Sequence, residues 1–219
     1  MEKNDIDQNN NSNNPNANEI IKLIIIGSVS VGKTSLLLRY ATGKFQNVSK
    51  STSTASYITK IKQANNKTYE IRLWDTAGQE KYKALTKFFY KDAAICILVY
   101  DICRRNSFDS IKNYWYPQVR ENVGENIVLG IAGNKCDLYE KEEIKEEEVR
   151  EWANEIGAVF ELTSAQSNTG INELFENLGY KFIDPNFKPA RIEEKREKSI
   201  VINKNDLKKN ETKTKKSFC

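Results

Sequence analysis

The segment 27–34 constrains the fold of this chain more than any other part of its sequence. It reads Gly-Ser-Val-Ser-Val-Gly-Lys-Thr and directly follows the apolar run 20–26. It therefore matches the phosphate-binding pattern G-x-x-x-x-G-K-[ST], placed between a strand and a helix. In such a loop the glycines let backbone N–H groups surround a phosphate at a positive helix N-terminus, Lys33 reaches the β- and γ-phosphate oxygens, and the Thr34 hydroxyl ligates Mg²⁺. We predict a nucleotide-binding loop here.

Short β-rich runs alternate with helical stretches along most of the chain. The predicted strands are 20–26, 56–62, 69–74, 94–100, 127–133 and 158–162, and the predicted helices are 33–42, 107–122, 145–156 and 171–183, with a weaker one at 81–90. Four strands are nearly continuous runs of Val, Ile and Leu, which is typical of parallel strands covered on both faces. The turn signal Asn65-Asn66-Lys67 predicts an antiparallel hairpin at a sheet edge. The predicted fold class is α/β, with a six-stranded, mostly parallel sheet, one antiparallel edge strand and helices on both faces.

Three regions differ in composition. Residues 1–18 contain eight Asn and no apolar core of a secretory signal, so they are predicted to be a disordered lead. Residues 19–184 form the one predicted domain, and Asp184-Pro185 ends its last helix, because the residue before a proline is disfavoured in the helical region. Residues 185–219 hold 11 Lys and Arg against 5 Asp and Glu, a net charge of +6 in a chain of +4. This basic tail favours an electrostatic tether over a nucleic-acid-binding domain, and a run that only keeps a disordered end solvated stays open.

Two residue types exclude whole classes of chemistry. The chain has no histidine, which excludes a Ser-His-Asp or Cys-His nucleophile, a histidine zinc site and a histidine general base. Its four cysteines have no C-x-x-C spacing, which fits neither a disulfide framework nor a zinc cluster and favours a reducing compartment. Cys96, Cys103 and Cys136 lie on or beside predicted strands and are predicted to be inert core thiols.

The phosphate-binding loop alone leaves ATPases, nucleoside kinases and GTPases open, and two later motifs narrow this choice. Asn134-Lys135-Cys136-Asp137 stands at the C-terminal end of a predicted strand, where open α/β sheets bind ligands. An aspartate there accepts two hydrogen bonds from N1 and N2 of guanine, a pattern that adenine cannot supply. Thr163-Ser164-Ala165 follows the sixth strand in the matching order. Together these motifs predict a guanine nucleotide.

A third motif, Trp74-Asp75-Thr76-Ala77-Gly78-Gln79-Glu80, also stands at a strand end. With the three motifs in this order, the chain resembles the small GTPases of the Ras superfamily, and most of all the Rab family, over residues 19–184. The Rab-like features are this motif, the residues 81–86 and 89–90 after it, and a long tail that ends in cysteine. Residues 36–40 and 55–60 resemble the endocytic branch of the Rab family more than the secretory one. The resemblance implies the P-loop small GTPase fold.

The resemblance also implies a role for individual residues in a GTP/GDP switch that uses Mg²⁺. The implied GTP-binding residues are Ser28, Val29, Ser30, Val31, Gly32, Lys33, Thr34, Ser35, Phe45, Thr52, Gly78, Asn134, Lys135, Asp137, Ser164, Ala165 and Gln166. The implied metal ligands are Thr34, Thr52 and Asp75, with Asp75 acting through water. Gln79 is the implied catalytic residue, because it orients the attacking water. The resemblance implies that Phe45 packs edge-on against guanine and that Tyr57, Trp74 and Phe89 face effectors. Without the family, Phe45 would be interpreted as a loop anchor and the other three as hairpin and core aromatics.

A Rab-type switch acts through partners and a membrane. The resemblance implies a guanine nucleotide exchange factor, a GTPase-activating protein, Rab effectors, and a GDP dissociation inhibitor or escort protein, with a role in vesicle trafficking and no nucleic-acid partner. Prenylation is expected at Cys219, although its position fits neither C-a-a-X nor a paired-cysteine ending. One lipid chain binds membranes only marginally, so the basic tail is expected to add to it. The expected location is the cytosolic face of endomembranes, with endosomes favoured.

Several positions depart from the family pattern. The residues after Thr52 are Ser-Thr rather than Ile-Gly, which leaves the effector open, and Gln166 replaces a lysine that often packs over the base. Val29 stands where Ras has glycine and most Rabs have a small residue. A branched side chain there is expected to crowd Gln79 and an incoming arginine finger. The alternative function is therefore a GTP-loaded binding module with very slow hydrolysis. An ATP-dependent P-loop kinase is a further alternative, for which the sequence offers no lid segment and no arginine cluster.

Overall fold

The central sheet of the protein is seen in a computed structural model that describes residues 19–45, 56–64, 66–75 and 89–189. Its strands are β1 (Glu19–Ile26), β2 (Ser56–Ala64), β3 (Lys67–Asp75), β4 (Ile95–Asp101), β5 (Val128–Asn134) and β6 (Val159–Thr163). The α-helices within the described ranges are α1 (Lys33–Thr42), α2 (Arg105–Ser110), α3 (Tyr116–Val123), α4 (Glu146–Glu155) and α5 (Ile171–Ile183). A π-helical segment, Ile111–Trp115, joins α2 to α3, and the 3₁₀ helix Cys136–Lys141 follows β5.

The strand order in the sheet is β2-β3-β1-β4-β5-β6. β1 pairs in parallel with both β3 and β4, and β5 is parallel to β4 and β6. β2 is antiparallel to β3, from Ser56 opposite Asp75 to Ala64 opposite Lys67. The predicted six-stranded, mostly parallel sheet with one antiparallel edge strand is confirmed. The carboxyl ends of β1, β3, β4, β5 and β6 consequently meet at one edge of the sheet.

Alternating residues of the central strands fill two separate cores. In β1, Ile24 faces the core under α2, α3 and α4, whereas its neighbour Ile25 faces the core under α1 and α5. Leu98 and Ile97 of β4 divide in the same way. All seven residues of β4 are buried, as expected for a strand covered on both faces. The continuous apolar runs in the sequence therefore reflect a sheet that lies between two layers of helices.

The predicted helix 107–122 is interrupted in the structure, and Pro117 supplies the physical reason. Proline has no backbone N–H to donate to a residue four positions earlier. Tyr116, just before it, donates its backbone N–H to the carbonyl of Ile111, five positions earlier. This wider turn is the π-helical geometry. The 3₁₀ helix at Cys136–Lys141 was likewise not predicted, since it lacks an amphipathic repeat.

The chain ends were predicted from composition, and most of their residues lie outside the described part. α5 does end at Ile183, directly before Asp184-Pro185, which confirms the predicted stop. Residues 1–18 and 190–219 are not described, so the disordered lead, the basic tail and the domain boundaries stay predictions. Of the weak helix at 81–90, only residues 89 and 90 are described, and these are helical. Within the described ranges, none of the helices combines the length and the apolar character needed to cross a bilayer.

The three described cysteines differ in their surroundings. Cys96 is fully buried in β4, and burial raises the pKa of its thiol far above the ordinary range. This confirms an inert core thiol. Cys103 and Cys136 are only half-buried, but both pack against the core under α2, α3 and α4, and burial raises the pKa of both thiols. Cys103 follows β4 and Cys136 begins the 3₁₀ helix after β5, so these two thiols lie beside strands, as predicted, at the margin of the core and not in its interior.

Candidate functional site

The loop between β1 and α1 is shaped by glycines that no other residue could replace. Gly27 and Gly32 have φ values of 146° and 94°, in the region that side chains rarely adopt. A Cβ at Gly27 would lie 2.2 Å from the carbonyl oxygen of Val99, and one at Gly32 would lie 2.3 Å from Nδ2 of Asn134. The glycines thus let the loop pack directly against β4 and β5.

Lys33 places a buried positive charge inside this loop. Only 6% of the residue is exposed, and its Nζ donates to the carbonyl oxygens of Gly27 and Ser28, both at 2.8 Å. Lys33 is also the first residue of α1, whose N-terminus carries a partial positive charge. A buried ammonium and a helix N-terminus at one point favour an anion. The loop is therefore arranged as the phosphate-binding site that the motif predicts.

Thr34 and Asp75 bring two oxygen ligands to the same place. The Thr34 hydroxyl donates to Oδ2 of Asp75 at 2.7 Å, and Asp75, the last residue of β3, is only 7% exposed. Hydroxyl and carboxylate oxygens suit Mg²⁺, which typically takes one or two such protein ligands together with waters and substrate phosphates. The pair lies beside Lys33 and fits the predicted metal position.

Asn134 joins the phosphate-binding loop to the end of β5. Its side chain is 2% exposed, and its Nδ2 donates to the carbonyl oxygen of Val31 at 2.7 Å. Its Oδ1 accepts a hydrogen bond of 3.3 Å from the hydroxyl of Thr163, the last residue of β6. One amide therefore connects the loop, β5 and β6. This contact brings the first motif of the sequence against the N-K-x-D motif.

The Asp137 carboxylate is held by a residue of another motif. The hydroxyl of Ser164 donates to Oδ1 of Asp137 at 2.5 Å and also accepts the backbone N–H of Ser167 at 3.0 Å. Asp137 is half-buried, whereas Ser164 is fully buried. The N-K-x-D and Thr-Ser-Ala motifs therefore contact each other in the structure, and this contact gives the carboxylate a fixed orientation.

Arg39 is a site residue that the sequence analysis missed. Its guanidinium donates to the carbonyl oxygens of Ala165 and Gln166, both at 2.7 Å, and lies 5.9 Å from the ring centroid of Phe45. Arg39 thus ties the end of α1 to the loop after β6. Phe45 itself is 41% exposed. The partners of Arg39 are 126 and 127 residues away along the chain, so no local pattern could have indicated them.

Asp101, the last residue of β4, is a second site residue that the sequence analysis missed. It is 2% exposed, and its carboxylate accepts a 2.6 Å hydrogen bond from the Nζ of Lys135. Lys135 has a φ of 67°, so its backbone is in the left-handed region. An acidic residue at the carboxyl end of an apolar strand is a signal that could have found Asp101, because ligands of open α/β sheets bind there.

The three aromatics predicted to face effectors do lie together. The rings of Tyr57 and Trp74 stack with centroids 5.0 Å apart, and Phe89 packs edge-on against Trp74 at 6.5 Å. Tyr57 is 49% exposed, but Phe89 is only 9% exposed. The low exposure of Phe89 agrees with the alternative interpretation as a core aromatic, and contact of the three residues with effectors stays a prediction.

Other predicted site residues are not described by the structure. Thr52, Gly78, Gln79 and Cys219 lie outside the described ranges. Val29 is described and is 38% exposed.

A cavity of about 250 Å³ lies away from these residues, at the amino ends of β1, β3 and β4, and it is lined mainly by apolar side chains such as Ile21, Ile71 and Phe182. It does not contact the phosphate-binding loop.

The chain is similar to one protein family and to several known proteins over most of its length. The family model described as "Ras family" matches residues 22–184, which include all the site residues described above. The chain is 39% identical to human Ras-related protein Rab-22A over 155 residues, which cover 71% of this chain and 79% of that protein. It is 36% identical to mouse Rab-22A over 170 residues, covering 78% and 87%. It is 40% identical to Ras-related protein Rab-21 of Bos taurus over 163 residues, covering 74% and 73%.

The packing of Gly32 against Asn134 leads to a prediction. We expect Gly32→Ala to lower the bound nucleotide of the purified protein to about one-tenth, because the new Cβ displaces the buried Asn134 amide. Gly43→Ala is the matched control, since Gly43 also has a positive φ, of 71°, but nothing lies within 4 Å of its Cβ position. The nucleotide released on denaturation is measured by ion-exchange chromatography, and circular dichroism checks the fold. Equal nucleotide content in the two variants would contradict the claim that the packing of Gly32 against Asn134 supports nucleotide binding.

Proposed function

The chain belongs to the Ras family and, within it, to the Rab small GTPases, and on that premise we propose that it is a molecular switch. In this proposal it binds GTP and GDP with Mg²⁺, hydrolyses GTP to GDP and phosphate, and recruits effectors in vesicle trafficking. The single observation that best supports it is the bond from Asn134 to the Val31 carbonyl. This bond joins the loop 27–34 to the N-K-x-D motif, which supports the proposal that both contact one nucleotide.

The base is proposed to lie against Asp137. A carboxylate accepts from both N1–H and the 2-amino group of guanine, whereas adenine has no donors in that arrangement. The hydrogen bond from Ser164 orients the Asp137 carboxylate for this contact. Phe45 and the Lys135 side chain are proposed to border the ring. Because a polar group left unpaired in a dry site is costly, adenine nucleotides are expected to bind poorly.

The phosphates are proposed to lie in the loop 27–34. The Lys33 ammonium and the N–H groups at the start of α1 bind their oxygens and balance their charge. When bound, Mg²⁺ neutralises charge between the β- and γ-phosphates. Thr34 and Asp75 would hold it, with Thr52 joining when the γ-phosphate is present. Gly78 is proposed to contact the γ-phosphate and Gln79 to orient the attacking water, both from the family resemblance.

The signalling role is proposed from the family and from one surface. A Rab-type switch needs an exchange factor, a GTPase-activating protein and a GDP dissociation inhibitor or escort protein, and its effectors are proposed to contact Tyr57 and the edge of Trp74. Similarity to Rab-22A and Rab-21 supports the endocytic branch. Reversible attachment to endosomal membranes through the basic tail and Cys219 belongs to this proposal, and cell fractionation of the Cys219→Ser protein tests it.

Replacing Asp137 tests the base assignment. We expect Asp137→Asn to shift the preference from GTP towards XTP by at least about tenfold, because the new amide donates to O2 of xanthine where the carboxylate accepted from the 2-amino group. Competition binding of the two nucleotides measures the shift. The control is Asp92→Asn, in the exposed turn before β4 at the opposite edge of the sheet. An Asp137→Asn protein that keeps the wild-type preference for GTP would refute the placement.

Val29 favours the second candidate function, a GTP-loaded module that hardly hydrolyses its nucleotide. Its side chain is exposed on the phosphate-binding loop, where the attacking water, the switch glutamine and an arginine finger share one space. We expect Val29→Gly to accelerate single-turnover GTP hydrolysis several-fold with little change in GTP affinity. Gln79→Leu should then slow the Val29→Gly protein strongly and the wild type only slightly, because residues that act on one water are not additive. Equal rates for wild type and Val29→Gly would mean an ordinary timed switch.

A further inference from the structure

Asp101 is the centre of a small charged network between the two ends of the site. Its carboxylate accepts hydrogen bonds from the Lys135 Nζ at 2.6 Å, the Arg104 Nε at 3.1 Å and the backbone N–H of Cys103 at 3.0 Å. Its side chain is only 4% exposed, whereas those of Lys135 and Arg104 are 34% and 38% exposed. A carboxylate removed from water in this way is stable only with paired charges and satisfied oxygens. Asp101 therefore fixes both cations in position.

Arg104 extends this network to the phosphate-binding loop. Its Nη2 donates to the carbonyl oxygen of Val29 at 2.9 Å, while its Nε faces Asp101. The guanidinium is planar and rigid, so fixing one nitrogen against Asp101 also fixes the direction of the other. The position of the Val29 carbonyl consequently depends on a carboxylate at the end of β4, 72 residues further along the chain.

The peptide between Val29 and Ser30 transmits this contact. A trans peptide is planar, and its C=O and N–H point in opposite directions. With the Val29 carbonyl turned to Arg104, the Ser30 N–H is turned away from Arg104. Ser30 also has a φ of 62°, a left-handed conformation that is unfavourable for any residue with a Cβ. The bond from Arg104 offsets this cost and holds the peptide in one orientation.

We infer that Arg104 is a positioning residue for the nucleotide's β-phosphate, and that Asp101 couples it to Lys135 at the base. In this account Arg104 aims the Ser30 N–H at the phosphate through the Val29 carbonyl, and it does not touch the nucleotide. The inference rests on the proposed function, because it requires that the loop binds a guanine nucleotide. It adds a physical link by which the phosphate end and the base end of the site depend on one buried carboxylate.

The neighbouring arginine provides a matched control. Arg105 donates to both carboxylate oxygens of Glu148 at 2.7 Å and to Asp109 at 3.1 Å. It is thus also a paired, partly exposed arginine, but these partners belong to α2 and α4 rather than to the phosphate-binding loop. Removal of Arg105 deletes two ion pairs without removing a contact to Val29.

The first experiment compares GDP with GMP, which lacks the β-phosphate. We expect Arg104→Gln to weaken GDP binding about tenfold, the usual order for losing a charge-assisted hydrogen bond, and to weaken GMP binding much less. Arg105→Gln should change neither affinity more than about twofold, in line with a surface ion pair. Titration calorimetry of the nucleotide-free protein measures both affinities. Equal losses for GDP and GMP in Arg104→Gln would mean a merely structural role and would overturn the inference.

Arg104→Lys keeps the test valid if the Gln variant does not fold. Lysine preserves the charge beside Asp101, but it lacks the planar fork by which Arg104 donates from Nε to Asp101 and from Nη2 to Val29. We expect this variant to keep the fold and GMP affinity and still to lose GDP affinity. Wild-type GDP affinity in Arg104→Lys would refute the bridge.

A double-mutant cycle tests the coupling through Asp101. Lys135→Gln and Arg104→Gln each remove one donor to the same carboxylate, so their combined effect on GDP affinity should differ from the product of the single effects by at least about threefold. Effects that simply multiply would separate Arg104 from the base and reject the coupling. The wild type distinguishes the two levels of the account. If the wild type fails to bind GDP, the proposed function fails; if it binds GDP tightly and the variants match it, only this inference fails.

Discussion

The hydrogen bond from the Asn134 amide to the Val31 carbonyl is the contact on which the rest of the site depends. It is buried, and Oδ1 of the same Asn134 amide accepts a hydrogen bond from the hydroxyl of Thr163 at the end of β6. A buried amide that loses its partners costs about 1 to 3 kcal/mol, so the loop, β5 and β6 are held in one arrangement. Gly32 has no side chain because the Asn134 amide occupies the space where a Cβ would be. A glycine at position 32 and an asparagine at position 134 therefore depend on each other, because the Asn134 amide fits only where residue 32 has no side chain.

Hydrogen bonds within the protein hold the polar side chains of the site. The Lys33 ammonium donates hydrogen bonds to two backbone carbonyls, the Thr34 hydroxyl donates one to Asp75, and the Ser164 hydroxyl donates one to Asp137. Groups that are already oriented need little rearrangement when a nucleotide arrives, and electrostatic interactions are stronger in a site with little water. The parallel strands make this possible, since their carboxyl ends deliver residues from distant parts of the chain to one edge of the sheet. The carboxyl end of β3 brings Asp75 to this edge, and β2 presents Tyr57 to solvent.

Features with a fixed local signal could be predicted from the sequence, and features made by distant contacts could not. The strands and α1 follow from apolar runs and from the glycines and lysine of the loop, and the meeting of Asp137 with Ser164 follows from motif order. The π-helical segment Ile111–Trp115 was not predicted, because a strong amphipathic pattern indicates a regular helix there and one proline changes its hydrogen bonding. The roles of Arg39, Asp101 and Arg104 depend on side-chain contacts across the fold. The burial of Phe89 could not be decided from the sequence, because an aromatic residue gives the same sequence signal whether it is exposed or covered.

The central claim is that these contacts form a site for a guanine nucleotide, and the nucleotide that the protein retains tests it most directly. The protein is extracted gently in the presence of Mg²⁺, denatured, and its released small molecules are separated by ion-exchange chromatography and identified by mass. The account predicts close to one guanine nucleotide per chain, as GDP or GTP, with adenine nucleotides near background. A stoichiometric adenine nucleotide, or a protein that releases no nucleotide and binds neither GDP nor GTP when they are added with Mg²⁺, would contradict it.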